Sequence, residues 1–362
     1  MARGVGRASA RPSRDNERVT TADLPHPIDL LPELPSVEDL LASMQVVRLP
    51  MNVRFRGIEQ REVALLEGPV GWGEFGPFLE YGPAEASRWL AAAIEAAHVG
   101  WPAAQRPTVP VNATVPAVPA SQVGEVLARY DGFGAVKVKV AEAGQTLADD
   151  VARLAAVREQ VGPGTPVRVD ANGAWDVDGA RTALRSLAAH GLEYVEQPCR
   201  SVEELRDLRR ALARAGVAVP IAADESIRRA DDPLRVAHLE AADLVVVKVA
   251  PLGGVRMALA VIEACGLPAV VSSAIDTSVG LSAGVALAGA LPQLPYACGL
   301  GTGALLAADV TTAPLTPVGG SVEVRPVEVD RGALAAYAVD GSRRAWWEER
   351  VRAAYAVLAT GR

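Results

Sequence analysis

The sequence predicts an α/β protein: a TIM-like, modified (β/α)8-type barrel with a small α+β capping domain formed by the N-terminal region and the C-terminal segment. Three observations lead there. Five apolar runs in succession end in charged residues: Val136-Lys137-Val138-Lys139-Val140, Val167-Arg168-Val169-Asp170, Tyr194-Val195-Glu196, Ile221-Ala222-Ala223-Asp224 and Leu244-Val245-Val246-Val247-Lys248. From Lys139 through Asp170, Glu196 and Asp224 to Lys248 the intervals are 31, 26, 28 and 24 positions, each fitting one strand plus one returning helix. Ahead of this rhythm the chain reads as short antiparallel strands, and 362 residues, 50% hydrophobic, suffice for one large barrel and a small second domain.

Residues 1–24 are rich in Arg, Ser and Gly without an apolar period and are expected to be a disordered extension. No apolar core of a targeting peptide follows them. The cap is expected over 40–106. Its strands lie at Val46–Leu49, Val53–Gly57, Arg61–Leu66 and Gly71–Glu74, followed by a helix with Pro83 in its first turn and Trp89, Leu90, Ala93, Ile94 and Ala97 at helical spacing. The loop Phe75–Tyr81, with two of the four Phe, reads either as a lid over a site or as a packed turn.

The barrel is expected over 107–305. Strand one is Val109–Val115; the next five carry Lys137 and Lys139, Asp170 and Asn172, Glu196, Asp224, and Lys248; strand seven is Ala269–Ser273 and strand eight Tyr296–Leu300. Helices are expected near Gln122–Tyr130, Thr146–Val161, Asp176–His190, Ser201–Ala215, Asp231–Leu239 and Gly254–Cys265. The segment 306–362 holds Val322, Val324, Val327 and Val329 in strands, then a helix with Trp346, Trp347, Val351 and Tyr355, and is expected to pack back on the cap.

A net charge of −7 and a pI near 5.3 argue against nucleic acid as a partner, since phosphate binding needs clustered cations. A small anionic substrate is compatible, because a local lysine cluster can oppose the global sign. No membrane span is expected: the most apolar long stretch, from about Val285 to Ala308, carries Pro292 and Pro295. Cys199, Cys265 and Cys298 lack paired spacing, which suggests reduced, buried thiols in a cytoplasmic protein.

Lys137 and Lys139, two apart on a strand, leave the same face. If that face is the barrel interior, mutual repulsion and desolvation lower a lysine's pKa toward a base's range; the alternative is a solvated Lys/Val edge strand. Asp170, Glu196 and Asp224 end consecutive strands, and three carboxylates suit Mg²⁺, whereas no His/Cys set favours zinc. One such residue alone would read as a helix N-cap. Asn172 and Glu225 are candidates to sit behind the metal ligands, Glu225 holding a lysine. Lys248, after four apolar residues, has to reach a polar pocket, facing the carboxylates or the substrate. The Gly299–Gly303 stretch reads as a barrel turn or a weak anion cradle.

The Lys-x-Lys at 137 and 139, Asp-Ala-Asn at 170–172, Glu-Gln-Pro at 196–198, Asp-Glu-Ser at 224–226 and Lys248 resemble the enolase superfamily, muconate-lactonizing subgroup. Its sites pair a Lys or His base with Mg²⁺. Arg54-Phe55-Arg56-Gly57, Arg61-Glu62-Val63-Ala64, Gly71–Gly76 and Ser272-Ser273-Ala274 are most similar to the actinobacterial o-succinylbenzoate synthase family of menaquinone biosynthesis. The resemblance implies a lyase that dehydrates 2-succinyl-6-hydroxy-2,4-cyclohexadiene-1-carboxylate to 2-succinylbenzoate. It implies Mg²⁺ on Asp170, Glu196 and Asp224, proton abstraction by Lys139, anion stabilisation by Lys248, and substrate binding by Lys137. One of Arg54 and Arg56 would steer the succinyl carboxylate, and strand alternation leaves open which. N-succinylamino acid racemases, dipeptide epimerases and muconate cycloisomerases share the lysine pair; where a dipeptide epimerase carries Asp-x-Asp, this chain has Leu300-Gly301-Thr302. A non-catalytic anion-binding barrel is the alternative from another class, and the intact lysines and carboxylates speak against it.

Overall fold

The structure, a computed structural model, describes residues 20–55, 58–228 and 232–360. The expectations for residues 1–19 and for the side chains of Arg54 and Arg56 lie outside the described residues. From Thr20 the chain makes a 3₁₀ turn, Thr21–Asp23, with Thr20 N donating to Asp23 Oδ2 at 2.7 Å.

The cap opens with α1 (Val37–Ser43), whose N-cap Ser36 accepts from Asp39 N at 3.1 Å and so satisfies an orphan helix donor. Strands β1 (Gln45–Phe55), β2 (Ile58–Glu67) and β3 (Trp72–Phe75) form an antiparallel sheet in that order. Helix α2 (Pro83–Ile94) starts on Pro83, where a missing N–H costs nothing, and buries Trp89, Leu90 and Ile94.

The first barrel strand is divided. β4 (Thr108–Pro110) leaves the barrel sheet, and β5 (Asn112–Val115) joins it. The alternation then runs α3 (Val123–Leu127), β6 (Ala135–Lys139), α4 (Leu147–Val161), β7 (Val167–Asp170), α5 (Val177–Leu187), β8 (Leu192–Glu196), α6 (Val202–Ala215) and β9 (Ile221–Ala223). It continues through α7 (Glu225–Arg228), α8 (Arg235–His238), β10 (Leu244–Lys248), α9 (Val249–Leu252), α10 (Val255–Cys265), β11 (Ala269–Ser272) and α11 (Ser278–Ala290). Helices α4 and α6 begin at capping boxes, Thr146 with Asp149 and Ser201 with Glu204. Between α7 and β10 the helix expected near Asp231–Leu239 appears, among the described residues, as the four residues of α8 with Pro233 just ahead of it, and Asp231 itself lies outside the described residues.

Strands β5 to β11 make one seven-stranded parallel sheet in sequence order. The ring closes where Cys298 bridges Val111 and Gly299 bridges Ser272, so the eighth strand expected at Tyr296–Leu300 is reduced to two bridges. Pro292 and Pro295 remove ladder donors ahead of it, and Gly299, Gly301 and Gly303 weaken pairing on its far side. The chain then adds β12 (Ser321–Glu323), which pairs antiparallel with β4. Of the four valines expected in strands only Val322 is in one; Pro326 interrupts the rest. Helices α12 (Arg331–Ala336) and α13 (Gly341–Thr360) complete the chain, and α13 lies against the cap: Trp347 Nε1 donates to Glu62 Oε2 at 3.1 Å and its ring meets Phe75 edge-on at 5.9 Å.

Parity along the strands places the site. Tyr194, Ala222, Leu244, Val246 and Val270 form an apolar plug inside the barrel with Tyr296 against it. Two residues on, with the same parity, Glu196, Asp224, Lys248 and Ser272 come out at the C-terminal rim.

Candidate active site

Register brings the site together before any side chain is considered. Lys139 pairs with Asp170 and Asp170 with Glu196 across β6, β7 and β8, and Lys248 stands opposite Ser272 on β10 and β11. The side chains then interlock. Lys137 Nζ lies 3.2 Å from Glu196 Oε1 and 3.4 Å from Asp170 Oδ2; Lys139 Nζ lies 2.6 Å from Asp170 Oδ2 and 2.7 Å from Asn172 Oδ1. Lys248 Nζ is 2.5 Å from both Asp224 oxygens, so it faces the carboxylates. Asn172, at φ 48°, donates through Nδ2 to Glu225 Oε1 at 3.4 Å.

Asp170, Glu196 and Asp224 are only 1%, 1% and 2% exposed, so their charges need partners. Burial would raise Asp170, but Lys139 and Lys137 outweigh it and hold the carboxyl well below the usual range. Asp224 is likewise held down against burial by Lys248 and Arg228. Glu196 goes the other way: burial, then Asp170 and Asp224, push it up to about 7 despite Lys137. The trio is therefore short of positive charge at Glu196, and an all-oxygen donor set of that kind fits a hard divalent cation. Among the described residues, no three His, Cys, Asp or Glu side chains are arranged to hold an ion as they stand, since lysines occupy the carboxylate oxygens.

The lysines correct one expectation. At Lys137, burial disfavours the ammonium, yet Glu196 and Asp170 more than offset it and raise the pKa above the ordinary lysine value. Close carboxylates, absent from a reading of Lys-x-Lys alone, decide the sign. Lys248 is lowered by burial, against the pull of Asp224 and with Arg228 adding to it.

These groups face a cavity of about 1160 Å³. Phe78 and Tyr81 from the loop after β3 line it from the cap side, so that loop is both packed and part of the site wall. Ser273, Ile275, Gly301 and Thr302 line it from the barrel, so the Gly-rich turn contributes to the wall. Two contributors escaped the sequence reading. Arg228 donates to Asp224 Oδ1 at 3.0 Å and to Glu225 Oε1 at 2.6 Å; its place four residues after Asp224 on a helical turn was the available signal. Gln197, at φ 39°, accepts from Asp224 N at 2.9 Å and from Ser226 N at 3.2 Å, which fixes the backbone carrying Asp224. The three cysteines are buried, free thiols pushed up to about 12 by burial. Among the described residues, no helix is long and apolar enough to cross a membrane.

Comparison with known proteins places this geometry. Residues 120–328 match the enolase C-terminal domain-like family model, and residues 46–97 the enolase N-terminal domain-like model. The o-succinylbenzoate synthase of Mycolicibacterium smegmatis is 56% identical over 90% of this chain and 99% of its own. That of Thermobifida fusca is 58% identical over 85% and 94%, and that of Mycobacterium tuberculosis 54% over 91% and 98%. Among solved structures, the muconate lactonizing enzyme of Pseudomonas putida superposes with a TM-score of 0.68 at 20% identity over 82% of this chain and 98% of that one. The L-Ala-D/L-Glu epimerase of Bacillus subtilis does so at 0.65 and 23%, over 79% and 96%. At such identities the superpositions speak for the fold: a modified TIM barrel with a capping domain.

Proposed function

We propose, from the premise that the chain belongs to the o-succinylbenzoate synthase family of the enolase superfamily, an assignment of roles to the rim residues. The activity is that family's: a hydro-lyase that makes o-succinylbenzoate. The substrate is 2-succinyl-6-hydroxy-2,4-cyclohexadiene-1-carboxylate, a small anion suited to a cavity walled by lysines. Lys139 Nζ takes the ring proton α to the carboxylate. The electron pair moves into the carboxylate system and then expels the ring hydroxyl, and the same ammonium returns the proton to it, releasing water and leaving the aromatic product. To act as base, Lys139 has to open its contacts with Asp170 and Asn172. Lys248, facing the carboxylates from β10, stabilises the negative charge that builds on the ring. Lys137, tied to Glu196 and Asp170, fixes the ligand carboxylates and presents a positive charge to the bound anion.

Asp170, Glu196 and Asp224 would hold Mg²⁺, which supplies Lewis-acid stabilisation of the substrate carboxylate as it gains charge. Asn172 and Glu225 sit behind this row, linking Lys139 to Arg228. The cap corresponds to 40–106 with 306–362 packed on it, and the barrel to 107–305; the protein works in the cytoplasm.

The observation that carries this reading is the in-register row Lys139–Asp170–Glu196, with Lys248 on the same rim. Purified protein should remove the diene's absorbance with Mg²⁺, stop with EDTA and recover on adding Mg²⁺. Turnover of N-succinyl amino acids in preference to the diene would reassign the substrate.

A further inference from the structure

We infer that Glu74 and Arg61, both on the cap, are positioning residues that fix the Ser273–Ile275 wall of the cavity and thereby set how tightly substrate is held. The inference rests on the cavity being the substrate site as proposed above. Ile275 is β-branched yet has φ 62°, a region such side chains rarely enter and keep only where their surroundings impose it.

Two side chains from the cap hold the turn that carries it. Arg61 Nε donates to the Ile275 carbonyl at 2.9 Å, its Nη2 donates to the Gly76 carbonyl, and its guanidinium lies 4.7 Å from the centroid of Phe78. One arginine thus ties the barrel turn to the aromatic loop. Glu74 Oε2 accepts from Thr277 N at 3.1 Å, Gly280 N at 3.2 Å and the Thr277 hydroxyl at 2.5 Å, closing the first turn of α11 from outside its own helix. The fit is tight on both sides: a Cβ at Gly280 would come within 2.8 Å of the Glu74 carboxyl, and one at Gly76 within 2.9 Å of Arg61.

Glu74 Oε1 has no hydrogen-bond partner and is buried against a cavity of about 30 Å³, room for a water molecule. The charged groups facing it are Arg61 from β2, Asp276 from the turn and Lys248 from β10. Burial, then Asp276, push the Glu74 carboxyl up to about 8 against the pull of Arg61, so at neutral pH it keeps its proton and the buried oxygen carries no net charge. Above pH 8 the carboxylate forms next to Asp276, and repulsion between the two strains the turn that carries Ile275.

Steady-state kinetics on the diene with the wild-type protein, Glu74→Gln, Glu74→Ala and Arg61→Lys, with a thermal melt of each, test this. Glu74→Gln, which keeps an uncharged hydrogen-bonding head, should have a KM within about threefold of wild type; Glu74→Ala and Arg61→Lys should raise KM about tenfold while kcat stays within about threefold. The wild-type KM should rise above pH 8 and that of Glu74→Gln should stay flat. An unchanged KM in folded Glu74→Ala overturns the inference, as does a Gln variant that tracks the wild-type rise; should the Ala variant not fold, the Gln pH profile and Arg61→Lys decide. Wild-type protein that leaves the diene intact overturns the proposed substrate and this inference with it, whereas an active wild type with indifferent variants overturns the inference alone.

Discussion

The two sides of the cavity are built on opposite plans. On the barrel rim each lysine is held by a carboxylate and the carboxylates stand on neighbouring strands, Lys139 against Asp170 at 2.6 Å and Lys248 against Asp224 at 2.5 Å. On the cap side the wall is aromatic: Phe78 meets Tyr81 edge-on at 5.5 Å and Trp89 at 6.2 Å. Arg61 and Glu74, two buried charges of the cap, spend their hydrogen bonds mainly on backbone. Proton transfer needs charged groups at fixed mutual distance, which strands in register supply, whereas selectivity needs shape, which a loop on a separate sheet can alter without disturbing the strands. Substitutions on the rim should therefore change kcat, and those on the cap KM.

The largest break in that contrast is at Lys139. Lys139→Ala should lose about 10²–10⁴-fold in kcat, and exchange of the substrate's α-proton in D₂O should vanish with it. Exchange that survives at a rate within tenfold of wild type would move the base to Lys248. Lys248→Ala should also be severely impaired.

Next in size is Glu196→Gln. Its carboxyl is 1% exposed and tied to Lys137, so removing one charge from the trio should weaken Mg²⁺ binding about tenfold or more, read by titrating activity against Mg²⁺. The melting temperature should change little, because a strand-end side chain above the apolar plug packs no core. A large fall in melting temperature would mean that Glu196 serves mainly to neutralise Lys137.

The same contrast explains what could be read in advance. Barrel, most helix positions and the convergence of Lys137, Lys139, Asp170, Glu196, Asp224 and Lys248 were legible because period and parity are local properties of the chain. The sign of the Lys137 shift was not, since it depends on Glu196, 59 positions away. Nor was the failure of the eighth strand, where two proline interruptions and three glycines outweigh the apolar run Tyr296–Cys298. Least legible was the cap's grip on the barrel: Arg61 and Ile275 are 214 positions apart, and nothing in either segment names the other.

The finest test lies within the cap loop itself, where two adjacent apolar residues face opposite ways. Phe78 is buried and lines the cavity, while Leu79 is 50% exposed. The backbone of both is held from α13: Arg350 donates to the Phe78 carbonyl at 2.7 Å, to that of Leu79 at 3.2 Å and to that of Tyr81 at 2.9 Å. Neither side-chain substitution removes those bonds, so the pair isolates what each side chain contributes. Phe78→Leu takes ring surface from an apolar pocket and should raise KM about tenfold with kcat nearly unchanged. Leu79→Ser should leave both constants alone and shift stability by no more than about 0.5 kcal/mol. Equal effects from the two would mean that the loop acts by its mobility rather than by the wall it presents, and the division between a chemical rim and a shape-giving cap would then have to be redrawn around loop closure.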